Sequence, residues 1–245
     1  MNQGQERTYR GWVDPQGLAL FRVSVKETDL LLAAEADLSQ EARSSVLSHR
    51  RFLESWIRQS PDFLTSLKPL PPRPEEELAP AMVREMLQAG RVAGTGPMAA
   101  VAGALAGRVG LDLLALSAEI IIENGGDLFL ATARELNLGL FAGSSPLSGK
   151  LRLIIPAASQ PLGVSTSSGS FGHSLSLGRA DAATVAAESP ALADALATAL
   201  GNRVKTKSDL GPALEWLKGR PGAKGGLIIL GQELGVWGQM ELAEA

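Results

Sequence analysis

The chain has 245 residues, a net charge of −3, 45% apolar residues and no cysteine. That is enough apolar material for a sizeable core, and it excludes disulfides, thiolate catalysis and zinc–thiolate sites. No basic stripe interleaved with aromatics is present, which argues against nucleic acid as a partner. No apolar run reaches transmembrane length, and the polar start MNQGQERTYRGWVD lacks the apolar region of a secretory signal. The expectation is a cytoplasmic protein with no membrane partner.

Leu18 to Lys26 alternates and predicts a strand, with Asp29 to Glu35 as its partner across a turn near Glu27-Thr28. Ser39 predicts the N-cap of a helix running to about Arg58, whose apolar positions Val46, Leu47, Leu53, Trp56 and Ile57 recur at helical spacing. Ser60 to Pro74 is proline-rich and predicts an extended connection. Glu75 to Val92 predicts a second helix with Met82, Val83, Met86 and Leu87 inward. Gly94-Thr95-Gly96 breaks it, and Pro97 suits the first position of a third helix, Met98 to Val109.

After Leu113 short apolar runs take over: Glu119 to Glu123, Leu128 to Ala131, Leu136 to Phe141, Lys150 to Ile155 and Leu162 to Thr166. Gly, Pro, Asn and Ser punctuate them, which predicts a meander of antiparallel strands. Ala182 to Ala187 predicts another strand. Ser189-Pro190 caps a helix that Gly201-Asn202 ends, Asp209 to Lys218 is a further helix, and Gly225–Leu230 with Leu234–Glu241 closes as a hairpin. Helices clustered before a long meander read as α+β rather than βαβ.

Four segments carry candidate chemistry. Gly94 to Ala99 fits G-x-G-x-x-A, but a helix precedes it where the dinucleotide fingerprint needs a strand, so that reading is rejected. Asn124-Gly125-Gly126-Asp127 favours a type I′ hairpin turn, and it also offers backbone free of Cβ atoms against which a flat ring could lie. Ser165-Thr166-Ser167-Ser168-Gly169 is a small-residue loop able to turn N–H groups toward an anion, and G-x-S-x-G fails at Ser167. His173 follows in an unusual loop. A relay of His173 with Asp181 or Asp194 has no support from spacing, and His49, in SHRRF, reads as a solvated surface residue. Asp194 and Thr198 share one helix face among alanines. Asp194 lies beyond the first turn, so dipole stabilisation explains it poorly, whereas a carboxylate and a hydroxyl at i and i+4 suit a hard divalent cation.

The four segments are GPMAAVAG at 96–103, ENGGD at 123–127, STSSGSFGH at 165–173 and ADALAT at 193–198. In order and approximate spacing they resemble the ApbE-like superfamily, the FAD:protein FMN transferases, over roughly Gly94 to Asn202. VSVKETDL, FLTSLKPL, SPLSGKL, GNRVK and LGVWGQMEL extend the resemblance, over nearly the whole length, to a bacterial and archaeal branch of that superfamily. The resemblance implies a T-fold-like α+β architecture, with antiparallel sheets and helices packed on them. It implies one ApbE-like domain over 1–245: N-terminal strands and helices at 1–92, a motif-bearing core at 93–202, and a helix and hairpin at 203–245.

It further implies Mg2+ held by Asp194, Thr198 and the backbone carbonyl of Ala99. FAD or FMN would lie against Gly125, Gly126, Asp127, Thr166, Ser167, Ser168 and Gly169, with His173 catalytic. Magnesium would act on the pyrophosphate of a small phosphorylated ligand, either in flavin transfer to a threonine of a protein substrate or in pyrophosphate cleavage. Two departures favour an alternative, a flavin- or nucleotide-binding protein without catalysis. The transferases carry a lysine where this chain has Ala102, and an Asp-Pro after the histidine where this chain has Ser174 to Leu177. The oligomeric state stays open.

Overall fold

The computed structural model describes residues 17–157, 160–168 and 178–245. Strands β1 (Ala19–Val25) and β2 (Thr28–Ala34) open the fold, followed by helices α1 (Ser39–Gln59), α2 (Asp62–Thr65), α3 (Ala81–Ala93) and α4 (Val101–Leu113). Strands β3 (Ile120–Asn124), β4 (Asp127–Ala131), β5 (Leu136–Gly139), β6 (Leu151–Ile155), β7 (Leu162–Ser167) and β8 (Ala182–Ala187) come next. Helices α5 (Pro190–Asn202) and α6 (Leu210–Lys218) precede β9 (Ala223–Leu230), β10 (Glu233–Gly238) and β11 (Glu241–Glu244).

Eight strands form one antiparallel sheet in the order β1-β2-β3-β4-β7-β8-β9-β10, and three form a second in the order β11-β6-β5. Two apolar clusters follow from this. Phe21, Ile122, Phe129 and Val185 face the helices, packing with Val83, Met86, Val109 and Leu196. Ile121, Leu130, Val164 and Ile229 face the small sheet, packing with Leu138 and Leu153. Successive residues of one strand thus serve two different layers, as the two-residue period of a strand requires.

The predicted meander is corrected in one respect. β5 and β6 leave the large sheet after β4 and pair with β11, so β4 pairs directly with β7. The expected last strand is likewise divided: Gly238, at φ +79°, ends β10, and Glu241–Glu244 crosses to β6. The helix expected over 75–92 is two pieces, because Pro80 ends the 3-10 turn at Pro74–Leu78 and α3 starts after it. The expected extended stretch at 60–74 contains the short helix α2.

Ser39 is the first residue of α1 rather than its cap; its N–H and hydroxyl both donate to the Asp37 carboxylate. Ser189 caps α5 as predicted, its Oγ accepting the Leu192 N–H at 3.3 Å.

A close approach of backbones positions the functional region. A Cβ on Gly103 would lie 2.2 Å from the Pro190 carbonyl oxygen and 2.9 Å from Asp194 Cβ, so only glycine lets α4 meet α5 here. The same helix meets the sheet at Gly110, where a Cβ would enter the Phe129 ring.

Candidate functional site

Asp194 reaches the start of α4. Its Oδ2 accepts the N–H of Gly103 at 2.9 Å, and the Ala102 N–H also points to it. Ala102 and Gly103 are the second and third residues of α4, whose first amides have no partner within the helix. A side chain 91 residues away thus supplies the carboxylate that favours a helix N-terminus. Thr198 lies one turn further along α5, and Ala99 sits in the 3-10 turn Pro97–Ala100 that α5 packs against.

The hairpin between β3 and β4 reaches the same place. Asn124 pairs with Asp127, and Gly125 and Gly126 form the two-residue turn with φ +70° and +105°, the conformation that type I′ demands. Asn124 Nδ2 donates to the Ala102 carbonyl at 2.9 Å, tying the hairpin to the start of α4. Asp127 is 9% exposed and lies opposite Ser165 of β7, so both side chains share the helix face of the sheet.

These surroundings set the protonation of two acids. Burial pushes the Asp127 carboxyl well up, and the nearby Asp194 and Glu123 charges push it further; Ser165 opposes them. Burial also raises Asp194, to about 7, against the lowering by the Gly103 and Ala102 amides. Asp194 keeps partial solvent access even though protein surrounds it closely. Neither acid has a lysine or arginine partner among the described residues. Ser165 Oγ, fully buried, faces Asp127 and has no other hydrogen-bond partner among the described residues.

The Ser165–Gly169 segment is not a free loop throughout, because β7 continues to Ser167. Alternation then separates two predicted ligand-binding residues. Ser167 lies on the helix face near Gly201, whereas Thr166 faces the other way and its hydroxyl bonds that of Thr184 at 2.9 Å. The Thr166 N–H, in contrast, donates to the Gly126 carbonyl at 3.2 Å and closes the hairpin end. Ser168 is partly buried at the end of the strand. Gly169 and His173 lie outside the described residues.

Other candidates resolve into structural roles. Asp181 accepts the Gly231 N–H at 2.7 Å and holds the β9–β10 turn. His49 is not a solvated surface residue: its Nε2 lies 2.8 Å from Asp112 Oδ2, with 16% of its side chain exposed. Among the described residues no group of three or more His, Asp or Glu is arranged as a metal site, so a cation here depends on hydroxyl and carbonyl oxygens beside Asp194. Asn124 and Ser165 lie within the candidate segments 124–127 and 165–169 but were not assigned a ligand role of their own. The turn motif and the strand alternation name both, but only the sheet register puts Ser165 across from Asp127.

The structure is similar to the flavin transferase ApbE from Vibrio cholerae, with a TM-score of 0.55 at 12% identity, covering 92% of this chain and 97% of that one. It is also similar to the ApbE protein of Thermotoga maritima, with a TM-score of 0.58 at 13% identity, covering 89% and 96%. These likenesses establish an ApbE-type α+β fold of antiparallel sheets and helices. The chain belongs to the ApbE-like family whose model is described as AbpE bacteria, which matches residues 10–214. Its relatives include a UPF0280 protein of Methanosphaerula palustris, 41% identical over 217 residues, spanning 88% of this chain and 89% of the relative. A UPF0280 protein of Methanocaldococcus jannaschii is 38% identical over 225 residues, spanning 89% and 90%.

Proposed function

We propose that the protein binds FAD or a related phosphorylated ligand together with Mg2+, at the end of the large sheet where Asp127 and Asp194 converge. One observation carries this reading: two desolvated carboxylates lie within each other's field without a basic partner among the described residues. Such charge is costly unless paired, protonated or ligated to a metal. The donor set fits a hard cation, since it consists of oxygens only, and the buried Ser165 Oγ beside Asp127 adds a further oxygen.

Asp194, Thr198 and the Ala99 carbonyl would hold the ion. The Gly125-Gly126 turn, Asp127 and the 166–169 segment would hold the dinucleotide, with His173 beside it. When bound, magnesium would neutralise charge on the pyrophosphate. The protein's own part is to hold Asp194. The Gly103 and Ala102 amides fix its carboxylate, and Asn124 fixes the peptide that carries one of those amides. The reactions this suits are flavin transfer to a protein hydroxyl and cleavage of the pyrophosphate.

A second reading, ligand binding without turnover, is favoured by Ala102. No amine is present at that position; its peptide serves Asp194 and Asn124 instead. The absence of Asp-Pro after His173 favours the same reading. A cytoplasmic setting belongs to the proposal; among the described residues no helix is long and apolar enough to cross a membrane.

Thermal unfolding tests it. FAD with magnesium should raise the unfolding midpoint by ligand linkage, about 2.7 kcal/mol at a hundredfold excess over Kd. Asp194→Ala should remove the magnesium-dependent part. If Asp194 serves only to cap α4, the substitution lowers the midpoint equally with and without magnesium, and the metal reading fails. No shift with any flavin or adenine nucleotide retires the flavin reading. Release of FMN or AMP from FAD separates enzyme from binder.

A further inference from the structure

Helix α5 carries a second charged feature at its other end, independent of the proposed ligand site. Arg203 follows the last turn of α5, nine residues beyond Asp194 and therefore about 13 Å further along the axis. Its guanidinium carbon lies 3.5 Å above the centre of the Trp216 ring, and that of Arg220 lies 5.1 Å from the same centre. Among the described residues neither arginine has an acidic partner. Each spends a hydrogen bond on a carbonyl: Arg203 Nη1 on Ala199 at 2.8 Å, and Arg220 Nε on Trp216 at 3.3 Å. The Arg179 N–H donates to the Val204 carbonyl at 2.8 Å, bringing a third arginine to this end of the helix.

Two like charges over one indole repel: partial burial, and after it the proximity of Arg220, disfavours the charge on Arg203. Stacking on the ring explains why one guanidinium sits there; it does not explain two without a counterion. A guanidinium held over an indole is restrained in position, and the N–H groups of Arg203 other than the one on the Ala199 carbonyl match the paired oxygens of an oxyanion. We propose that Arg203, Trp216 and Arg220 form an anion site that takes a phosphate group. Two adjacent positive charges suit the dianion of a phosphate monoester better than a single carboxylate. The phosphate could belong to a small molecule or to a phosphorylated protein side chain, and the chemistry of recognition is shared.

The full chain, without magnesium or nucleotide, is titrated with inorganic phosphate and, separately, with a phosphoserine peptide and its unphosphorylated form. Tryptophan emission and calorimetry follow the binding. The wild-type protein should bind phosphate saturably. Arg220→Gln should weaken binding about tenfold, and so should Arg203→Lys, which keeps the charge and loses the flat fork. Asp194→Asn should leave it unchanged, which keeps this result separate from the ligand site above. Tighter binding of the phosphopeptide than of inorganic phosphate assigns a protein-borne phosphate; equal or weaker binding assigns a small molecule. The proposal is overturned if neither probe binds, if Arg220→Gln binds like the wild type, or if Asp194→Asn abolishes binding. Should Arg203→Lys fail to fold, Arg220→Gln alone decides, with circular dichroism confirming that this variant is folded.

Discussion

The two faces of the large sheet are built differently. The face toward the small sheet is filled by Ile121, Leu130, Val164, Ile229, Leu138 and Leu153, and the hydroxyls of half-buried Thr166 and buried Thr184 satisfy one another. The face toward the helices has an equally apolar middle, but its end at the β3–β4 hairpin buries Asn124, Asp127 and Ser165 against the α4–α5 crossing. The Gly103 and Ala102 amides on Asp194 and the Asn124 amide on the Ala102 carbonyl tie that end together, yet among the described residues neither acid has a cationic partner. A fold has no stability reason to gather such groups, because an apolar replacement of similar shape is as good or better. The contrast separates a layer that only packs from a layer that packs and is shaped for something else.

The largest expected effect tests the packing layer. Leu153→Ala, at a fully buried position between the sheets, should cost about 2–5 kcal/mol while leaving any stabilisation by FAD and magnesium intact, as measured by denaturant unfolding with and without ligand. Loss of the ligand response would show that the two faces are coupled. Gly103→Ala should cost somewhat less, about 1–3 kcal/mol, but should remove the ligand response. Its Cβ forces α5 from α4 and takes Asp194 from its amide.

A further effect is a slope, small over any single pH unit. Asp194 folds with its pKa raised to about 7, so the folded state holds a proton that the unfolded state has already released above about pH 4. Stability should therefore fall as pH rises from about 4 to 7, by at most about 1.4 kcal/mol per pH unit for each such group. Above pH 7 this contribution is flat. Asp194→Asn should flatten the slope across that window, and so should magnesium if it binds there. Equal slopes in the wild type and the variant would place the burial penalty elsewhere.

The elements themselves were largely legible. Ser189-Pro190 announced the start of α5, Asn124-Gly125-Gly126-Asp127 announced its hairpin, and the alternation in 19–25 announced β1. Errors arose where partners are remote. Nothing local in Leu136–Gly139 says that this strand will pair with β6 in another sheet, since its apolar pattern suits either one. His49 looked solvated because Asp112, its partner, is 63 residues away. Arg203, Trp216 and Arg220 carry no motif, and only the packing of α6 beside the end of α5 brings them together.

Sequence by itself determined the kinds of chemistry available: oxygen ligands and no thiols, a tight glycine turn, and a carboxylate among alanines on a helix. These follow from residue type and short-range spacing, which a chain carries wherever it folds. Tertiary structure alone decided which groups meet. Asp194 is a half-buried carboxylate at a helix start because Gly103 lets two backbones touch, and Ser165 belongs with Asp127 while Thr166 does not because one residue of strand register reverses a side chain. Burial then raises both acids and like charge raises Asp127 further, an effect of distance and dielectric that no linear spacing encodes.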